Sequence, residues 1–400
     1  MSKWVLQKAA EFCASVRDGT HDSPKSVEGG GKPLVTSKVV KQGVVRVEDA
    51  YLISEKDYRK INERSKVDRW DILMTMIGTV GECAIVKDDP DYAIKNIALF
   101  KMSGDEEKAK WLYYYLTSPM GQGALRGNFR GSSQQYISLD QLRNLEIPVP
   151  EKNVRSQIVA ILSDYDSAIA NCRKQIALLE EAAMRLYREW FKDGKGEKKR
   201  IWEILRHYAN GGWGKENSIG KFTECGYVIR GTDIDDLSYG NKSSIPLRVH
   251  SKHDIETKRL ISGDIIIELS NGNIDNIGRS LLVSDDMLSW FDDVVICASF
   301  CKFMRPIDNQ MSIALAWHIK YLQSSGKMKV FKNAGANGIN NFAFDEFLDS
   351  EIQLGDFDSK LFTVLDNMTL QIQTMRSQIR TLTEARDRLL PKLMSGEIEV

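Results

Sequence analysis

The sequence lacks the features that would place it in several common classes of protein. No apolar run approaches the ~18–20 residues that a membrane span requires, and the first residues are too polar for a signal peptide. The six cysteines form no CxxC pair, so neither a zinc ribbon nor a disulfide framework is expected. With nine prolines and 42% apolar residues, long disorder is not expected either. We therefore predict a cytoplasmic protein with reduced thiols and no membrane contact.

Catalytic and phosphate-binding motifs are missing as well. The chain contains no GxxxxGK[ST], GxGxxG, GxSxG or HExxH. Of the five histidines only His250 and His253 are close in sequence, and surface-loop positions are favoured over a metal pair. The formal net charge is zero, so any nucleic-acid contact must come from local patches or from a partner. We predict a binding or assembly protein that holds no metal.

The sequence does contain a long internal repeat. Ten residues of one helical segment recur with identical types 203 residues later. The first set is Leu162, Ile169, Arg173, Gln175, Ile176, Leu179, Glu181, Ala182, Arg185 and Leu186, and the second is Leu365, Ile372, Arg376, Gln378, Ile379, Leu382, Glu384, Ala385, Arg388 and Leu389. Weaker similarity upstream aligns 138–150 with 343–355 and 70–89 with 263–286. This order predicts two related globular parts, each followed by a long helix.

Four segments follow from this repeat: a globular domain at 1–155, a long helix and linker at 156–195, a second globular domain at 196–356, and a second long helix at 357–400. Apolar residues recur about every 3.5 positions in both helical segments, which is typical of a coiled coil. We favour an intramolecular antiparallel pair over packing of each helix on its own domain. The predicted helix-pair interface comprises Leu162, Ile169, Ile176, Leu179, Leu186, Leu365, Ile372, Ile379, Leu382 and Leu389.

Short β-rich runs fill both globular parts, and a helical segment follows them at 106–119 and at 312–325. The two parts should therefore have related folds. The predicted fold class is mixed α/β (α+β), with a pseudo-two-fold repeat.

This layout resembles the specificity subunit of Type I restriction–modification enzymes. Residues 156–186 (SQIVAILSDYDSAIANCRKQIALLEEAAMRL) are similar to the central conserved helix of that family, and 383–400 (TEARDRLLPKLMSGEIEV) to its closing signature. Segments 18–25, 32–38, 71–86, 93–101 and 131–150 resemble one recurring class of target recognition domain. The second globular part departs from that class at 272–282 (GNIDNIGRSLL).

The resemblance implies two target recognition domains separated by two long helices that form the antiparallel coiled coil. It implies a non-catalytic subunit that binds a bipartite, asymmetric site in double-stranded DNA. The helical pair would be a spacer ruler and a docking site for methyltransferase subunits, two of which are expected. Restriction/translocase subunits would complete the complex. No cofactor is expected in this chain, whereas S-adenosylmethionine, ATP and Mg are expected in the partners. The alternative is a coiled-coil adaptor protein without DNA specificity.

Base recognition requires hydrogen-bonding side chains on exposed loops, with Arg or Lys for guanine and Asn or Gln for adenine. The candidates in the first domain are Thr20, His21, Asp22, Ser23, Lys25, Thr36, Ser37, Lys38, Arg126, Asn128, Arg130, Ser132, Ser133, Gln134, Gln135 and Tyr136. Those in the second are Trp213, Lys215, Arg230, Thr232, Asp233, Asn271, Asn273, Lys332, Asn333, Asn337, Asn340 and Asn341. For each stretch an ordinary polar surface loop is the alternative. The second set is rich in Asn where the first has Gln and Arg, which predicts two different half-sites.

Overall fold

The computed structural model describes residues 4–41, 43–130, 135–192, 196–242, 244–335, 338–355 and 360–400. The chain forms two compact units. The first unit comprises Met1–Asp166 and Glu384–Val400, and the second comprises Ser167–Thr383. Each of the two long helical segments is therefore divided between the units, whereas the sequence treated these segments as separate.

The first unit begins with alternating short strands and helices. Its strands are β1 (Val5–Lys8), β2 (Ser15–Asp18), β3 (Lys32–Val35), β4 (Val40–Lys41), β5 (Val44–Val45), β6 (Tyr51–Ile53), β7 (Ile72–Thr75), β8 (Cys83–Ile85), β9 (Ala93–Ile94), β10 (Ile97–Lys101) and β11 (Glu146–Val149). Its helices are α1 (Ala9–Phe12), α2 (Glu55–Ser65), α3 (Glu106–Thr117), α4 (Pro119–Arg126), α5 (Leu139–Arg143) and the start of α6 (Lys152–Lys192).

An antiparallel sheet in the order β2-β10-β7-β8 forms the centre of the first unit. A second sheet, β6-β3-β9, pairs β3 with β6 antiparallel and with β9 parallel. All four residues of β7 are buried, because side chains on both faces of this strand meet the core. The predicted helical segment is confirmed as α3, whose first turn is capped by the Asp105 carboxylate accepting from Lys108 N–H.

The second unit repeats this plan with additions. Its strands are β12 (Glu197–Arg200), β13 (Leu205–Asn210), β14 (Phe222–Ile229), β15 (Leu247–Ser251), β16 (Ile265–Glu268), β17 (Ser270–Asn271), β18 (Ser280–Leu282), β19 (Val295–Cys297), β20 (Cys301–Pro306), β21 (Lys332–Asn333), β22 (Asn340–Phe342) and β23 (Glu351–Leu354). Its helices are α7 (Ile234–Ser238), α8 (Lys252–Lys258), α9 (Asp285–Leu288), α10 (Asn309–Ser324), α11 (Phe344–Asp349) and most of α12 (Lys360–Ser395).

The strand order confirms that the two units share one fold. The sheet β13-β20-β16-β18 is the counterpart of β2-β10-β7-β8, and β15-β14-β19 is the counterpart of β6-β3-β9, with the same parallel and antiparallel pairings. A buried ion pair also recurs at matching places. Asp71, just before β7, lies 2.6 Å from Lys101 Nζ, and Asp264, just before β16, lies 2.8 Å from an Arg305 Nη atom. The mixed α/β class and the repeat predicted from the sequence are both confirmed.

The long helices α6 and α12 pack against each other, as predicted, and run antiparallel. In the first unit, Asp166 Oδ1 accepts a hydrogen bond from Arg386 Nη1 at 2.8 Å. In the second unit, Cys172 lies beside Gln378 and Glu180 beside Arg376, so residue numbers rise on one helix as they fall on the other. Helix α10 adds its own apolar side chains to the same cluster, so the pair also packs on its domain.

The predicted seam residues lie mostly at the centre of this packing. Leu162, Ile169, Ile176, Leu365, Ile372 and Ile379 are buried, and Leu179, Leu382 and Leu389 are partly buried against the same clusters. Leu186 is only half-buried, and the neighbouring Tyr187 is the fully buried residue, with its hydroxyl 2.9 Å from His318 Nδ1. A straight α-helix drifts from a strict seven-residue repeat, which moves the seam by one residue here. Within the described ranges, no helix is long and apolar enough to cross a membrane.

The six cysteines are free thiols in the structure. Cys13, Cys83, Cys297 and Cys301 are buried in the sheets and helices of the two cores. Burial raises the pKa of Cys13 and of Cys297 to about 12, and it raises the pKa of the other two as well. These thiols are therefore protonated at neutral pH and act as small apolar side chains.

Candidate nucleic-acid interface

Three backbone hydrogen bonds tie the predicted loops of the first unit to one another. They link the loop after β2, the end of β3 and the turn between β9 and β10. The bonds are Gly19 N–H to Ile97 O (2.9 Å), Thr20 N–H to Ile94 O (3.0 Å) and Lys95 N–H to Val35 O (2.9 Å). Segments far apart in the sequence therefore meet at one edge of the domain.

The second unit contains the same three bonds. They are Gly211 N–H to Cys301 O (3.0 Å), Gly212 N–H to Cys297 O (2.8 Å) and Ala298 N–H to Ile229 O (2.7 Å). The first glycine is required in both units. A Cβ at Gly19 would lie 2.3 Å from Ile94 O, and one at Gly211 would lie 2.1 Å from Cys297 O, so only glycine allows the close approach. We call this shared arrangement the loop frame.

His21 is fixed in the loop frame of the first unit by two partners. Its Nδ1 lies 2.8 Å from Asn96 Oδ1, and its Nε2 lies 2.9 Å from Asp18 Oδ2. Arg64 of α2 donates to the other carboxylate oxygen of Asp18 at 2.9 Å and to Gly19 O at 3.0 Å. The imidazole remains largely exposed, so it is pre-oriented and can still contact a ligand.

The rest of this loop borders an open cleft of about 390 Å³ between the loop and α2. Ser23 Oγ accepts a hydrogen bond from Lys95 Nζ at 2.5 Å, and Thr20 Oγ1 accepts one from Asp22 N–H at 3.1 Å. Lys25 is exposed. The hydroxyls of the loop thus shape its backbone, while Lys25 is available to a phosphate.

The predicted stretch Thr36, Ser37 and Lys38 forms a tight turn directly after β3. Val39 N–H donates to Thr36 O at 3.1 Å to close the turn. Lys38 is exposed, while Thr36 and Ser37 are half-buried. Because Val35 belongs to the loop frame, this turn lies next to the loop that carries His21.

Arg130 and Tyr136 form an antiparallel backbone pair. Each donates its N–H to the carbonyl of the other at 2.9 Å. Tyr136 also pairs with Ile77, two residues after β7, and Gln135 O accepts from Gly78 N–H at 3.2 Å. The side chains of Arg130, Gln135 and Tyr136 are exposed.

Two further candidates lie just before this pair in the chain. Arg126 is exposed at the end of α4. Asn128 donates its amide to Ala124 O at 2.9 Å, which gives it a structural role. The predicted residues Ser132, Ser133 and Gln134, and Asn337 in the second unit, lie outside the described residues.

In the second unit the loop after β13 carries Trp213 and Lys215. The guanidinium of Arg248 lies 5.0 Å from the centre of the Trp213 ring, within the range of a cation–π contact. Lys215 N–H donates to Val249 O at 2.8 Å, and its side chain is exposed. The exposed Trp213, and Lys215 with its ammonium group 5.7 Å from the centre of the Phe222 ring, therefore stand where His21 and its neighbours stand in the first unit.

Arg230 and Asp233 bind each other. Arg230 Nε donates to Asp233 Oδ2 at 2.9 Å and its Nη2 donates to Oδ1 at 2.7 Å. These hydrogen bonds raise the pKa of Arg230. Asp233 is only 3% exposed, so it orients the arginine and does not itself meet solvent. Thr232 between them is exposed.

Five of the predicted residues of the second unit come together on the small sheet β17-β22-β21. Ser270 pairs with Asn341, Asn271 with Asn340, and Asn333 with Asn341. Lys332 lies on the same sheet; partial burial lowers the pKa of its ammonium group, which donates to Asp275 O at 3.0 Å. Residues from two distant parts of the chain, 270–271 and 332–342, thus present amide groups on one small sheet.

Several of these asparagines are occupied within the protein. Asn271 Nδ2 donates to Glu268 Oε1 at 2.8 Å, and Asn273 Oδ1 accepts from Asp275 N–H at 3.0 Å. Asn340 Nδ2 donates to Gly272 O at 3.0 Å. Asn333 and Asn341 are exposed, and Asn341 Oδ1 accepts from Ser270 Oγ at 2.9 Å. Exposure thus leaves Asn333 and Asn341 as the best placed amides.

Sequence reasoning missed Arg64, Lys95 and Asn96, which hold the first loop in place. Their partners are 45 to 75 residues away in the chain, and no local pattern marks them. Among the described residues, no group of three or more His, Cys, Asp or Glu side chains is placed to bind a metal ion. Chemically, the surface offers guanidinium, amide, hydroxyl and aromatic groups on loops with a fixed backbone, a combination suited to base edges and phosphates.

Comparison with known proteins points to one family. The family model of the type I restriction modification DNA specificity domain matches residues 1–181. The type I restriction enzyme MjaIX specificity subunit of Methanocaldococcus jannaschii is 23% identical, over 99% of this chain and 94% of its own length. The EcoBI specificity subunit of Escherichia coli is 27% identical over 28% of this chain and 24% of its own. A crystal structure of an S subunit from M. genitalium shares the fold, with a TM-score of 0.52 and 16% identity over 98% of this chain and 96% of that one.

Proposed function

We propose that the chain is a member of the type I restriction–modification DNA specificity family and the DNA-sequence-recognition subunit of such a complex. Each globular domain binds one half of a bipartite, asymmetric target in double-stranded DNA. The chain itself carries out no chemistry.

The observation that carries this proposal is the loop frame. It occurs with the same three hydrogen bonds in both units, yet the side chains next to it differ, with His21 in the first unit where the second has Trp213. Arg130 and Tyr136 of the first unit correspond to Asn333 and Asn341 of the second. Two similar domains with different polar loops would dock on DNA in the same way and recognise different bases, because phosphate contacts position a protein while base-edge contacts specify the sequence.

The long helices α6 and α12 have a separate role in the proposal. They act as the spacer between the half-sites and as the docking site for two methyltransferase subunits. These partners bring S-adenosylmethionine, and restriction/translocase subunits bring ATP and Mg. The zero net charge of the chain is compatible with a DNA-binding subunit whose partners also neutralise phosphates.

Modified-base sequencing of the host genome, with and without this gene, tests the proposal. We expect methylation to disappear at one asymmetric, gapped motif when the gene is deleted. Unchanged methylation in a host whose methyltransferase partner is expressed would reject the DNA-recognition role in favour of a coiled-coil adaptor.

The spacer role has its own test. One additional heptad in each long helix, inserted near Ser167 and near Glu384, keeps the apolar seam in register. Seven residues lengthen a helix by about 10 Å, so the gap between the half-sites should grow by roughly three base pairs, at 3.4 Å each. An unchanged gap in an active complex would contradict the spacer role.

A further inference from the structure

Phe300 is an exposed aromatic residue on the loop frame of the second unit. Its side chain is 66% exposed, and it lies in the turn between β19 and β20. A single exposed apolar residue is common on protein surfaces. The position of Phe300 distinguishes it, because backbone hydrogen bonds link its turn to the segments that lead into several candidate loops of the unit.

The backbone around Phe300 is held on every side. Phe300 O accepts from Leu269 N–H at 2.8 Å, and Leu269 O in turn accepts from Phe342 N–H at 2.8 Å. These bonds place the turn beside the Asn-rich sheet β17-β22-β21. On the other side, the loop frame links the turn to the glycines that precede Trp213 and to the strand that ends before Arg230. The backbone position of Phe300 is therefore fixed among segments whose side chains are proposed to contact DNA.

The same turn in the first unit has a different character. It contains Lys95 and Asn96, which bond to Ser23 and His21 and are half-buried. In the second unit it contains Ala298, Ser299 and Phe300, one residue more. The hydrogen bonds that Lys95 and Asn96 make in the first unit are replaced in the second by the exposed apolar ring of Phe300. A difference at this position changes what the loop frame presents without changing the frame.

The neighbouring amides indicate which base group the ring would meet. Asn and Gln recognise adenine through N6 and N7 in the major groove, and the paired thymine presents its C5-methyl group in that groove. Apolar side chains, including Phe, contact this methyl group. The turn that carries this ring is linked through Leu269 to the sheet that carries the exposed Asn333 and Asn341, so the ring and the amides together would suit A·T pairs.

We propose that Phe300 is a specificity-determining residue of the second domain that recognises the C5-methyl group of a thymine in the target. This inference rests on the proposed function, because it requires that the loop frame faces DNA.

The test uses the complete complex, purified through a tag on this chain, and the duplex identified by modified-base sequencing. Each thymine of the target is replaced in turn by deoxyuridine, which removes only the methyl group. With the wild-type complex, one replacement should weaken binding about fourfold, the effect of withdrawing one methyl group from an apolar contact. In the F300A complex, the thymine and uracil duplexes should bind equally.

Two further variants sharpen the result. F300L keeps an apolar side chain and should retain part of the discrimination. I261A is the matched control. Ile261 is also an exposed apolar residue, 42% exposed, but it lies before β16, whereas Leu269, the partner of Phe300, lies after this strand. I261A should behave as wild type at every position.

Three results would overturn the inference. The first is that the F300A complex binds the thymine duplex as tightly as the wild-type complex does. The second is that F300A weakens binding of the thymine and uracil duplexes by the same factor, and the third is that no thymine in the half-site of the second domain affects binding when it is replaced by deoxyuridine. The second result would indicate stacking or insertion between bases instead. Failure of the wild-type complex to bind any specific duplex would instead count against the proposed function.

Discussion

Tyr136 and Asn341 occupy the same position in the two units of the chain. Tyr136 forms an antiparallel pair with Arg130 in the first unit, and Asn341 forms one with Asn333 in the second. The backbone geometry is therefore set by the pairing, while the side chains are free to differ. This arrangement allows one fold to present two chemically different surfaces.

Truncation of a polar side chain at one of these positions should change the base preference in only one half-site. We expect R130A to relax base preference in one half of the target and N333A in the other, each by about 1–3 kcal/mol of discrimination. Competition binding with duplexes randomised at one half-site measures this. Relaxation of the same half-site by both variants would contradict the assignment of one domain to each half.

The seam between α6 and α12 should be essential for stability. Ile176 and Ile379 are each 1% exposed, so I176D or I379D would bury an unpaired charge and remove apolar contacts. We expect a loss of several kcal/mol in the free energy of unfolding, measured by urea denaturation. The control is L178D on the same helix, because Leu178 is 56% exposed. If L178D and I176D lower the urea midpoint equally, the seam is misassigned.

Stability of the second unit should fall as the pH is lowered from 7 to 5. Burial, and more weakly the charge of Lys327, lowers the pKa of His318 to about 4, below the value near 6.5 in an unfolded chain. Between these pH values the imidazole is protonated in the unfolded state but neutral in the folded state. The free energy of unfolding is therefore highest above pH 6.5 and decreases as the pH falls towards 4. At pH 5 the loss should be roughly 2 kcal/mol.

The variant H318Q tests the source of this pH dependence. A glutamine can still meet the Tyr187 hydroxyl, 2.9 Å from His318 Nδ1, but it does not titrate. Urea titrations at pH 7 and pH 5 should show a smaller change for H318Q than for wild type. His250, whose pKa burial also lowers, contributes in the same direction and remains in both proteins. Equal changes in both would exclude His318 as the cause.

Removal of the buried carboxylate before β16 should be costly. Arg305 donates to both oxygens of Asp264 at 2.8 Å, and Ile261 N–H donates to Oδ2 at 2.8 Å. D264A would leave a partly buried arginine unpaired, with an expected cost of about 3 kcal/mol. The control D235A removes an exposed partner of Arg279 and should cost well under 1 kcal/mol. A calorimetric midpoint that D264A leaves unchanged would contradict this role.

The sequence predicted the parts of the fold that have a local signature. The helical segments at 106–119 and 312–325 appear as α3 and α10, and apolar runs such as 72–75 and 265–268 appear as buried strands. Strand pairs such as β1 with β11, whose residues lie about 140 positions apart, were not predicted. Their short, partly exposed runs carry too little apolar pattern to indicate a partner.

The recognition residues divide in the same manner. Arg130 and Asn333 were predicted from their polar loops and lie exposed, whereas Asp233 was predicted for DNA contact and is buried against Arg230. A polar residue in a loop looks the same in the sequence whether it faces solvent or bonds a neighbour. Only the folded chain distinguishes the two.

The repeat and the two long helices could be predicted from the amino-acid sequence alone. Identical residues recur 203 positions apart, and the apolar periodicity shows which face of each helix must be buried. Which loops meet, and which polar side chains stay exposed, is established by the folded chain. His21 contacts Asn96, 75 residues away, and the backbone of Phe300 is linked to the Asn-rich sheet through Leu269. Such contacts depend on the pairing of distant strands, and their hydrogen-bonding groups have many possible partners until that pairing is made.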